Sequence, residues 1–433
     1  MNLFSLAEKR ASERPISVGV VGAGKFASMF LAQAPTMPGI AIRAIADLDP
    51  DSARMRLADV GWDEARIGAT AFSDDSAALI WRDDVDVVIE ATGDPVAGIG
   101  HALAAIAAGK HLVMVNVEAD VLAGPALAKR ARAAGLVYSM AYGDQPALIA
   151  EMVDWARAAG FSVAAAGKGT KYLPDYHRVT PDTVWDHYGL SAEEARAAGM
   201  NSQMFNSFID GTKSAIEMAA VANACGFQVP KNGLAFPPAS VDDLASILCP
   251  PGAAGRLGGE GYVEVVSSLN RDGSEVERDL RWGVYVILRA PNAYSAACFR
   301  EYGLKTDGSG VFAAMYKPYH LIGLELGISV YSAALRGEPT GSAGTFRGDA
   351  VAVAKRDLKA GERLDGEGGY TIWGRLMPAA DSIAAAALPI GLAKDVALTR
   401  DVAEGAVLTA ADVTLDQTSQ AFAMRQETLT LTG

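Results

Sequence analysis

The chain has 433 residues, of which 50% are hydrophobic, so a disordered protein is excluded and two or three domains with their own cores are expected. The net charge of −13 argues against a general nucleic-acid binder, because contact with a phosphate backbone needs a basic surface. The three cysteines are odd in number and lack CxxC spacing, which excludes a disulfide framework and a zinc knuckle as the basis of the fold.

The N-terminal segment, MNLFSLAEKRASERPIS, lacks the apolar run of a signal peptide. No apolar stretch approaches the roughly 20 residues that a membrane-spanning helix needs. We therefore expect a cytoplasmic protein whose partner is a small molecule, with no membrane and no nucleic acid involved.

A glycine-rich loop follows the first apolar run. ISVGVV predicts a buried strand, and GAGKFAS predicts a tight turn and the start of a helix. Gly22 allows the turn, Gly24 lets a pyrophosphate approach the backbone, and Ala27 lets the helix pack closely on the strand. Because the first N–H groups of a helix bind phosphate, the loop, including Lys25 and Phe26, is predicted to bind a dinucleotide.

The next predicted strand, IAIRAIAD, ends at Asp47. An acidic residue about 20 positions after such a loop accepts hydrogen bonds from the ribose hydroxyls of the cofactor. Asp47 therefore favours NAD over NADP, although the nearby Arg43 and Arg54 weaken this preference.

Strand-like and helix-like runs alternate up to about residue 150, which predicts a parallel, doubly wound sheet. Ligands bind such sheets beyond the carboxyl ends of the strands. Thr92, Gly93, Asn116 and Glu118 stand at predicted strand ends and are assigned to the cofactor site. A purely turn-forming role is the alternative for Gly93, whereas Asn116 and Glu118 directly follow an apolar strand, which favours a site role.

The middle of this acidic chain carries a basic cluster in the segment AAAGKGTKYLPDYHRVTPDTVW. Lys168, which is flanked by glycines, Lys171 and His177 are predicted to bind a phosphate or carboxylate of a small substrate. A solvated loop is the alternative, because lysines are mostly exposed. Lys317 and His320 are further predicted substrate contacts. His320 opens a predicted apolar helix, where a packed core histidine is the alternative.

The segment FNSFIDGTKSAIEMAA has helical apolar spacing and a polar stripe of Asn206, Asp210, Lys213 and Glu217. The stripe is either a solvated shoulder with weak ion pairs or the wall of a cleft. In the second interpretation Lys213 donates or accepts a proton, Asp210 and Glu217 tune it, and Asn206 contacts the substrate. Gly211 disfavours a continuous helix, so the helix can begin near Asp210, with Asp210 as its cap.

The helix that contains Lys213 and Glu217 is expected to end at Gly226.

The runs GGEGYVEVVSSL and LRWGVYVILRAP predict antiparallel strands around a charged hairpin. Near the end of the chain, KRDLKAGERL recurs as TRDVAEGAVL, which predicts two related β units; two copies are too few for a solenoid.

The predicted fold class is α/β with three domains. Residues 1–150 form a Rossmann dinucleotide-binding domain, residues 151–345 an α+β domain for catalysis and oligomerisation, and residues 346–433 a small β domain. A homo-oligomer, either a dimer or a tetramer, is expected because such assemblies are common among soluble proteins.

Several segments of the chain resemble one family when they are taken in order. GAGKFAS, VNVEADVLAG, GKGTKYLPDYH, DGTKSAIEMA, YKPYHLIGLELG and the repeated RD-x-x-x-G together resemble homoserine-dehydrogenase-like oxidoreductases that carry a C-terminal SAF domain. Within that group the chain looks most like the deoxyxylulose-phosphate reductoisomerase-like (DRL) enzymes. The resemblance covers nearly the whole chain. It implies a SAF domain of β-clip type at the C-terminus, and it places Lys213 with Asp210 near the hydride acceptor.

The resemblance also implies an activity, the NADPH-dependent conversion of 1-deoxy-D-xylulose 5-phosphate to 2-C-methyl-D-erythritol 4-phosphate for isoprenoid precursor synthesis. Asp47 departs from the pattern of a strict NADPH enzyme, so NAD stays open. The acidic metal motif of the classical reductoisomerase is not found; a metal is left unassigned, with Glu118, Asp210 and Glu217 as the carboxylates to test. The alternatives are an NAD(P)-dependent dehydrogenase of a sugar acid or hydroxy acid, and a nicotinamide-binding sensor without turnover.

Overall fold

The structure is a computed structural model that describes residues 2–253 and 255–432. The chain forms two compact units, each assembled from stretches that are distant in sequence. The first unit contains the chain up to Leu148, together with His320–Gly344 and Thr418–Leu431. The second unit contains Ile149–Tyr319 and Thr345–Gln417.

The strands alternate with helices in the first part of the chain and dominate the last part. In chain order the strands are β1 (Ile16–Val21), β2 (Ile40–Ala46), β3 (Ala71–Ser73), β4 (Val87–Glu90), β5 (His111–Met114), β6 (Tyr138–Met140), β7 (Ser162–Thr170), β8 (Tyr262–Ser267), β9 (Val284–Arg289), β10 (Phe312–Lys317), β11 (Gly348–Ala354), β12 (Arg363–Asp365), β13 (Ile372–Pro378) and β14 (Lys394–Ala397).

The α-helices range from a single turn to more than four turns. In chain order they are α1 (Leu3–Glu13), α2 (Lys25–Gln33), α3 (Pro50–Asp59), α4 (Glu64–Gly68), α5 (Ser76–Ile80), α6 (Pro95–Ala107), α7 (Val117–Ala133), α8 (Gln145–Ala158), α9 (Ala192–Ala197), α10 (Ser202–Ile209), α11 (Thr212–Cys225), α12 (Leu244–Ile247), α13 (Ala293–Glu301), α14 (Gly327–Tyr331), α15 (Ala379–Ala384) and α16 (Gln420–Leu429).

Strands β1 to β6 form one parallel sheet in the order β3-β2-β1-β4-β5-β6. This is the strand order of the Rossmann fold, and it confirms the predicted doubly wound sheet. Every residue of β1 is buried, as expected for a central parallel strand covered by helices on both faces. The first unit therefore presents the carboxyl ends of its strands as a ligand-binding edge.

The segment His320–Gly344 returns to the first unit and packs in its core. Leu326, Val330 and Tyr331 join the apolar cluster around β1 and α2. The Tyr331 hydroxyl donates a 2.7 Å hydrogen bond to the Pro38 carbonyl. His320 does not start a helix: it precedes a series of turns, and α14 begins only at Gly327, so that part of the prediction is wrong.

The second unit contains a mixed four-stranded sheet in the order β10-β9-β7-β8. The predicted pairing of β8 with β9 across a hairpin is wrong, because β7 lies between them, parallel to β8 and antiparallel to β9. The glycines of β7 explain its central position. A Cβ atom on Gly167 would lie 1.7 Å from the Glu264 carbonyl oxygen, so only glycine allows this close approach of the neighbouring strand.

The predicted polar stripe does not lie on one continuous helix. Gly211 has a φ of +91° and separates α10 from α11, so Asn206 belongs to a different helix from Lys213 and Glu217. The N-cap of α11 is Gly211 and not the predicted Asp210, which is the C-cap of α10; the Asp210 carboxylate accepts a 2.9 Å hydrogen bond from the Thr212 N–H. The helix ends as predicted at Gly226, which has a φ of +72°.

The two sequence repeats pair with each other inside the second unit. Leu358 and Val402 exchange two backbone hydrogen bonds, of 2.8 and 3.0 Å. Asp357 and Asp401 each accept a 2.9 Å bond from a backbone N–H of the other copy. Equivalent positions thus make equivalent contacts, and the repeat is an approximate two-fold arrangement of two β units. Around it lie two small antiparallel sheets, β11 with β13 and β12 with β14.

Candidate active site

The glycine-rich loop of the first unit has the geometry of a phosphate-binding turn. Gly22 has a φ of +88°, and a Cβ atom there would lie 2.7 Å from the Ala91 carbonyl oxygen. Gly24 is the N-cap of α2; no side chain caps this helix, and the space where a Cβ atom would stand is open. Lys25 is exposed and Ala27 is buried. The loop therefore fits a dinucleotide, whose pyrophosphate would bind the first N–H groups of α2.

Asp47 lies beside this loop, directly after β2. One of its carboxylate oxygens accepts a 2.7 Å hydrogen bond from the Ala23 N–H and the other a 3.0 Å bond from the Asp49 N–H. Arg56 donates to the Ala23 carbonyl at 2.8 Å, and its Nη1 lies 4.0 Å from the Asp47 carboxylate. The loop thus holds a carboxylate at the position that meets the adenosine ribose in Rossmann domains.

The arginine that approaches Asp47 is one that the sequence did not single out. Arg54 lies over the Phe72 ring, with its guanidinium carbon 4.4 Å from the ring centroid. Arg43 donates to the Ser17 hydroxyl at 3.2 Å. Arg56 lies two residues after Arg54 on α3, and no motif in the sequence marks it.

The ends of β4 and β5 meet at the same edge of the sheet. Thr92 and Gly93 are exposed after β4, and the Asn116 amide donates a 2.8 Å hydrogen bond to the Asp94 carbonyl. Asn116 also caps α7, and both Asn116 and Glu118 are buried at its start. The predicted cofactor residues of these two strands therefore lie on neighbouring turns, as the parallel sheet requires.

A buried carboxyl group lies near the ends of β5 and β6. Asp120 is 2% exposed; one of its oxygens accepts a 2.9 Å hydrogen bond from the Tyr138 hydroxyl and the other has no hydrogen-bond partner in the structure. Burial raises the pKa of Asp120 to about 7, although the Tyr138 hydroxyl acts in the opposite direction. Asp120 lines a small apolar pocket with Met114 and Met140. No motif in the sequence pointed to this residue.

The second unit contains a small pocket with a volume of about 80 Å³. It brings together the middle of the chain and the C-terminal segment. The lining residues are His177, Gly211, Ala215, Asn232, Gly233, Leu234, Phe236, Trp373, Gly374, Arg375 and Leu376.

His177 forms one wall of this pocket, and its two nitrogens have different partners. Nδ1 lies 2.7 Å from the Asp210 carbonyl oxygen, and because a carbonyl only accepts, Nδ1 carries the hydrogen. Nε2 therefore carries the lone pair and accepts from the Tyr172 hydroxyl at 3.0 Å. Burial lowers the pKa of His177, which keeps the imidazole neutral at pH values near 7. Trp373 stacks on the ring, with centroids 3.8 Å apart.

Phe236 forms the opposite wall and is held by two contacts. Tyr172 stacks on its ring, with centroids 3.9 Å apart. The buried Glu264 carboxylate accepts hydrogen bonds from the backbone N–H groups of Phe236, at 3.3 Å, and Ala235, at 3.0 Å. Burial nevertheless raises the pKa of Glu264 to about 7. The Phe236 backbone has a φ of +49°, an uncommon conformation for a bulky residue that this clamp maintains.

Arg375, on β13, is the charged residue of the pocket. It is half-buried, and no hydrogen bond or ion pair connects it to another described residue. Burial lowers the pKa of its guanidinium. A Cβ atom on Gly233 would lie 3.3 Å from the Arg375 Cγ, so the glycine loop packs against the aliphatic part of the side chain.

Two lysines form buried ion pairs in the second unit. Lys168, on β7, contacts Glu217, and Lys355 Nζ lies 2.8 Å from the Asp210 carboxylate. Both side chains of the second pair are almost inaccessible, 2% for Lys355 and 0% for Asp210. Asp210 and Glu217 are thus engaged by other lysines than the predicted Lys213. Lys213 itself is half-buried as the second residue of α11.

Asn206 and Lys355 connect the middle of the chain to the C-terminal segment. Both donate to the Val179 carbonyl, at 2.9 and 2.7 Å. Asn206 also donates to the Gly368 carbonyl at 2.8 Å, and Lys355 to the Gly369 carbonyl at 2.8 Å. These amide and ammonium donors therefore hold the loop after β12 against the segment before α9.

The other predicted substrate residues have local contacts. Lys171 donates to the His187 carbonyl at 2.6 Å, and burial lowers its pKa. Lys317 ends β10, with its ammonium 6.0 Å from the Tyr319 ring centroid. Among the residues predicted in the second unit, His177 lines the pocket and Lys168, Lys171, Asn206 and Lys317 do not. Their roles in binding substrate stay predictions.

The repeat contains a signal that would have identified Lys355. The two copies match in Arg-Asp and in the later glycine, but Lys355 precedes the first copy where Thr399 precedes the second. Because Thr399 occupies the equivalent position in the second copy, a lysine in the first copy indicates a contact that only the first copy makes. Trp373 and Arg375 carry a weaker signal. They are two residues apart on β13, so their side chains point to the same face of the strand. The sequence does not show that this face lines a pocket, because that depends on the fold.

Neither a metal cluster nor a membrane span is found where the structure describes the chain. In residues 2–253 and 255–432, no group of three or more His, Cys, Asp or Glu side chains is placed to hold a metal ion. None of the helices built from these residues is both long and apolar enough to cross a bilayer.

Two family models match adjoining parts of the chain. Residues 18–139 match the NAD binding domain of homoserine dehydrogenase, and residues 143–326 match the catalytic domain of oxidoreductase DRL. No curated protein matches the chain.

Solved structures similar to this chain include three oxidoreductase-type proteins. Biliverdin reductase from Synechocystis sp. PCC 6803, in complex with biliverdin and NADP+, is 20% identical over 37% of this chain and 48% of that chain, with a TM-score of 0.27. Myo-inositol dehydrogenase from Lactobacillus casei, in complex with NAD(H) and myo-inositol, is 18% identical over 39% and 50%, with a TM-score of 0.29. An oxidoreductase domain protein from Kribbella flavida is 20% identical over 46% and 53%, with a TM-score of 0.30.

The chain spans about half the length of each of these solved structures. The two family matches agree with the phosphate-binding loop and the strand order of the first unit. Residues 18–139 are thus similar to an NAD binding domain, and residues 143–326 to the catalytic domain of an oxidoreductase. The two matches support a place for these segments among DRL-like, NAD(P)-dependent oxidoreductases.

Proposed function

We propose that this oxidoreductase is a reductoisomerase that converts 1-deoxy-D-xylulose 5-phosphate to 2-C-methyl-D-erythritol 4-phosphate, a step of isoprenoid precursor synthesis. The match of residues 143–326 to the DRL catalytic domain supports this class. The observation that carries the proposal is His177, a neutral imidazole with its lone pair on Nε2 at the wall of a pocket.

The rearrangement needs a group that takes a proton from a substrate hydroxyl and returns it. His177 Nε2 is that atom in our proposal, since it already accepts a hydrogen bond from the Tyr172 hydroxyl. The Asp210 carbonyl holds the hydrogen on Nδ1 and stabilises the imidazolium that forms when Nε2 is protonated. Trp373 stacks on the neutral ring, and its π face also attracts the imidazolium, so it would hold the ring in both states.

The cofactor residues are those of the first unit. Gly22 and Gly24 would hold the pyrophosphate against α2, and Asp47 the adenosine ribose. When bound, the reduced nicotinamide supplies the hydride. The resemblance favours NADPH, whereas the Asp47 carboxylate favours NADH, because a ribose phosphate would meet a like charge there.

Lys213 is the second proposed proton donor, and the C-terminal segment has a proposed identity. Lys213 is half-buried, which suits a lysine that gives a proton to an oxygen.

The paired repeats and small antiparallel sheets of the C-terminal segment support its assignment as a SAF-like β domain. A dimer or tetramer is also proposed, and light scattering of the purified protein measures it directly.

The test is oxidation of NADPH and NADH by the purified protein with 1-deoxy-D-xylulose 5-phosphate, with and without a divalent cation. We expect substrate-dependent loss of the reduced cofactor, with one 2-C-methyl-D-erythritol 4-phosphate formed per cofactor oxidised, as measured by phosphorus NMR. Cofactor oxidation that yields an unbranched product contradicts the isomerisation. Cofactor binding without oxidation by any added substrate supports a nicotinamide-binding sensor instead.

A second function is favoured by the match of residues 18–139 to the NAD binding domain of homoserine dehydrogenase. It is a dehydrogenase of a sugar acid or hydroxy acid, which keeps the cofactor site and His177 but has no skeletal rearrangement. A panel of such acids with NAD as oxidant distinguishes it, because a reductoisomerase leaves these substrates unchanged.

A further inference from the structure

We infer that the pocket of the second unit is an anion site in which Arg375 binds a phosphomonoester or carboxylate group of the ligand. This deepens the proposed function, on which it rests for the identity of the substrate. The residue comes from β13 in the C-terminal segment, outside the matched catalytic domain of residues 143–326. The C-terminal segment would then decide which substrates the catalytic segment accepts.

The first argument is the state of the guanidinium. Arg375 is half-buried but has no hydrogen bond or ion pair to any other residue in the described parts of the chain. Other arginines of the second unit are paired: Arg178 contacts Glu404, and Arg289 contacts Glu260. A guanidinium that loses water without gaining a partner is destabilised, which is why burial lowers the pKa of Arg375. An anionic ligand would remove this penalty.

The second argument is the charge of the pocket. None of its lining residues is a carboxylate, and His177 is neutral, so Arg375 supplies the charge. The nearest acid on the His177 side, Asp210, is already paired with Lys355. Within a chain of net charge −13, an uncompensated arginine in a carboxylate-free pocket selects for an anion.

The third argument is the fixed position of the side chain. Gly233 has a φ of +81° and packs on the Arg375 stem, where a Cβ atom would lie 3.3 Å from Cγ. The next residue, Leu376, is buried on the other face of β13. The backbone of Gly374 is held by a 2.8 Å hydrogen bond from its N–H to the Thr212 hydroxyl. A guanidinium on such a support can bind two oxygens of one group at once, which an ammonium cannot.

The ligand class follows from this geometry. A planar guanidinium fits both a carboxylate and a phosphate in two-point contact, so both chemistries suit the site. Trp373 and Phe236 line the same pocket, so the anion would enter beside two aromatic rings. A phosphomonoester fits the reductoisomerase substrate, and a carboxylate fits the sugar-acid or hydroxy-acid dehydrogenase.

The test is isothermal titration calorimetry of the full chain with inorganic phosphate and, separately, with glycolate, without cofactor or turnover. Arg375→Gln removes the charge, and Arg375→Lys keeps the charge but not the two-point contact. Arg363→Gln is the matched control, because Arg363 is exposed on β12 of the same segment and does not line the pocket. A charged hydrogen bond contributes about 1.5–3 kcal/mol, so Arg375→Gln is expected to weaken binding roughly 10- to 100-fold, and Arg363→Gln to leave it unchanged.

The outcomes separate this inference from the proposed function. Loss of phosphate or glycolate binding in Arg375→Gln supports the anion site even where 1-deoxy-D-xylulose 5-phosphate is not turned over. Tighter binding of phosphate than of glycolate assigns a phosphomonoester, and the reverse order assigns a carboxylate. Wild-type protein that binds neither anion, or Arg375→Gln protein that folds and binds both as well as wild type, overturns the inference. Turnover with an unchanged KM in Arg375→Gln also overturns it, while the reductoisomerase proposal stands.

Discussion

His177 and Trp373 stack in the second unit with their ring centroids 3.8 Å apart, although one belongs to the middle of the chain and the other to the C-terminal segment. The Gly374 N–H, next to Trp373, donates to the Thr212 hydroxyl at the start of α11. The C-terminal segment is thus part of the pocket wall. In our proposal, the residue that acts on the substrate, His177, and the residue that orients it, Trp373, therefore come from different segments.

The first prediction concerns His177. His177→Gln is expected to lower kcat by about 100-fold or more, the usual contribution of a positioned acid–base group, with little change in KM. Trp373→Phe keeps an aromatic ring on this wall and is expected to change kcat only a few-fold. Steady-state kinetics with the proposed substrate, 1-deoxy-D-xylulose 5-phosphate, measure both effects.

The pH dependence of the wild type provides an independent check on His177. Burial lowers its pKa, so protonation sets in below the usual range and activity should fall only when the pH drops through that lowered value. Activity that falls on the acid side in His177→Gln as it does in wild type would assign the titration to another group. An unchanged kcat in His177→Gln would leave Lys213 as the proton donor, which Lys213→Met then tests.

The second prediction concerns cofactor preference. The Asp47 carboxylate stands beside the phosphate-binding loop, where the additional phosphate of NADPH would meet a like charge. Wild-type protein is therefore expected to use NADH at least as well as NADPH. In Asp47→Ser, the ratio of kcat/KM for NADPH over NADH should rise about 10-fold or more, since one removed repulsion of about 1.4 kcal/mol corresponds to a factor of ten.

Arg56 has the opposite charge to Asp47 and would attract the additional phosphate of NADPH. Its guanidinium lies 4.0 Å from Asp47, so Arg56→Gln should reverse part of the gain in NADPH use that Asp47→Ser produces. If the wild-type enzyme strongly prefers NADPH and Asp47→Ser leaves this preference unchanged, Asp47 does not contact the adenosine ribose of the cofactor.

The cofactor half of this protein was predictable because its signals are local. The GAGKFAS loop, Asp47 and the strand ends at Thr92 and Asn116 follow one another at short spacings, and parallel β–α alternation brings them to one edge. Residues that lie close together at this edge are therefore also close together in the sequence. Arg56 was missed because no sequence motif distinguishes it from Arg54, two residues earlier on α3.

The pocket of the second unit was not predictable in the same way. It joins His177 to Trp373 and Arg375, and no local spacing relates these segments. Lys168 illustrates the converse: its flanking glycines suggested close approach to a ligand, but they let β7 occupy the centre of a sheet, which buries the lysine against Glu217. Glycine permits close approach by a strand as readily as by a ligand.

The third prediction concerns Asp120 and pH. Its pKa is raised from 3.8 to about 7 in the folded state, so the folded state holds the proton more tightly than the unfolded state. Stability should therefore fall as the pH rises through this window, by about 2–3 kcal/mol between about pH 5 and pH 8. Asp120→Asn should lack this part of the pH dependence, and denaturant unfolding at the two pH values measures it.

Two features help to assign this effect to Asp120. Asp51→Asn, at an exposed position of α3, should keep the wild-type pH dependence. Glu264 has a pKa raised to about 7 in the second unit, so part of the decrease should remain in Asp120→Asn. A decrease in Asp120→Asn as large as in wild type would show that the Asp120 carboxyl is not protonated near neutral pH.

The fourth prediction concerns the ion pair of Lys355 with Asp210. Lys355→Met would leave a carboxylate that is 0% exposed without its cation, which typically costs about 3–5 kcal/mol. The double variant Lys355→Met/Asp210→Asn removes the buried charge and keeps an oxygen for the Thr212 N–H, so it should recover a large part of the lost stability. Lys359→Met, in an exposed pair with Asp401, should change stability little.

This cycle also tests how the C-terminal segment is held to the rest of its unit. Lys355 donates to the carbonyls of Val179 and Gly369 as well as to Asp210, so the double variant should still lack two hydrogen bonds and remain less stable than wild type. If Lys355→Met alone is as stable as wild type, water reaches Asp210 and the pair is not buried in solution. If the double variant is no more stable than Lys355→Met, the two backbone hydrogen bonds, rather than the charge pair, hold the segment. In that case the pocket wall formed by Trp373 depends on the loop at Gly369 more than on Asp210.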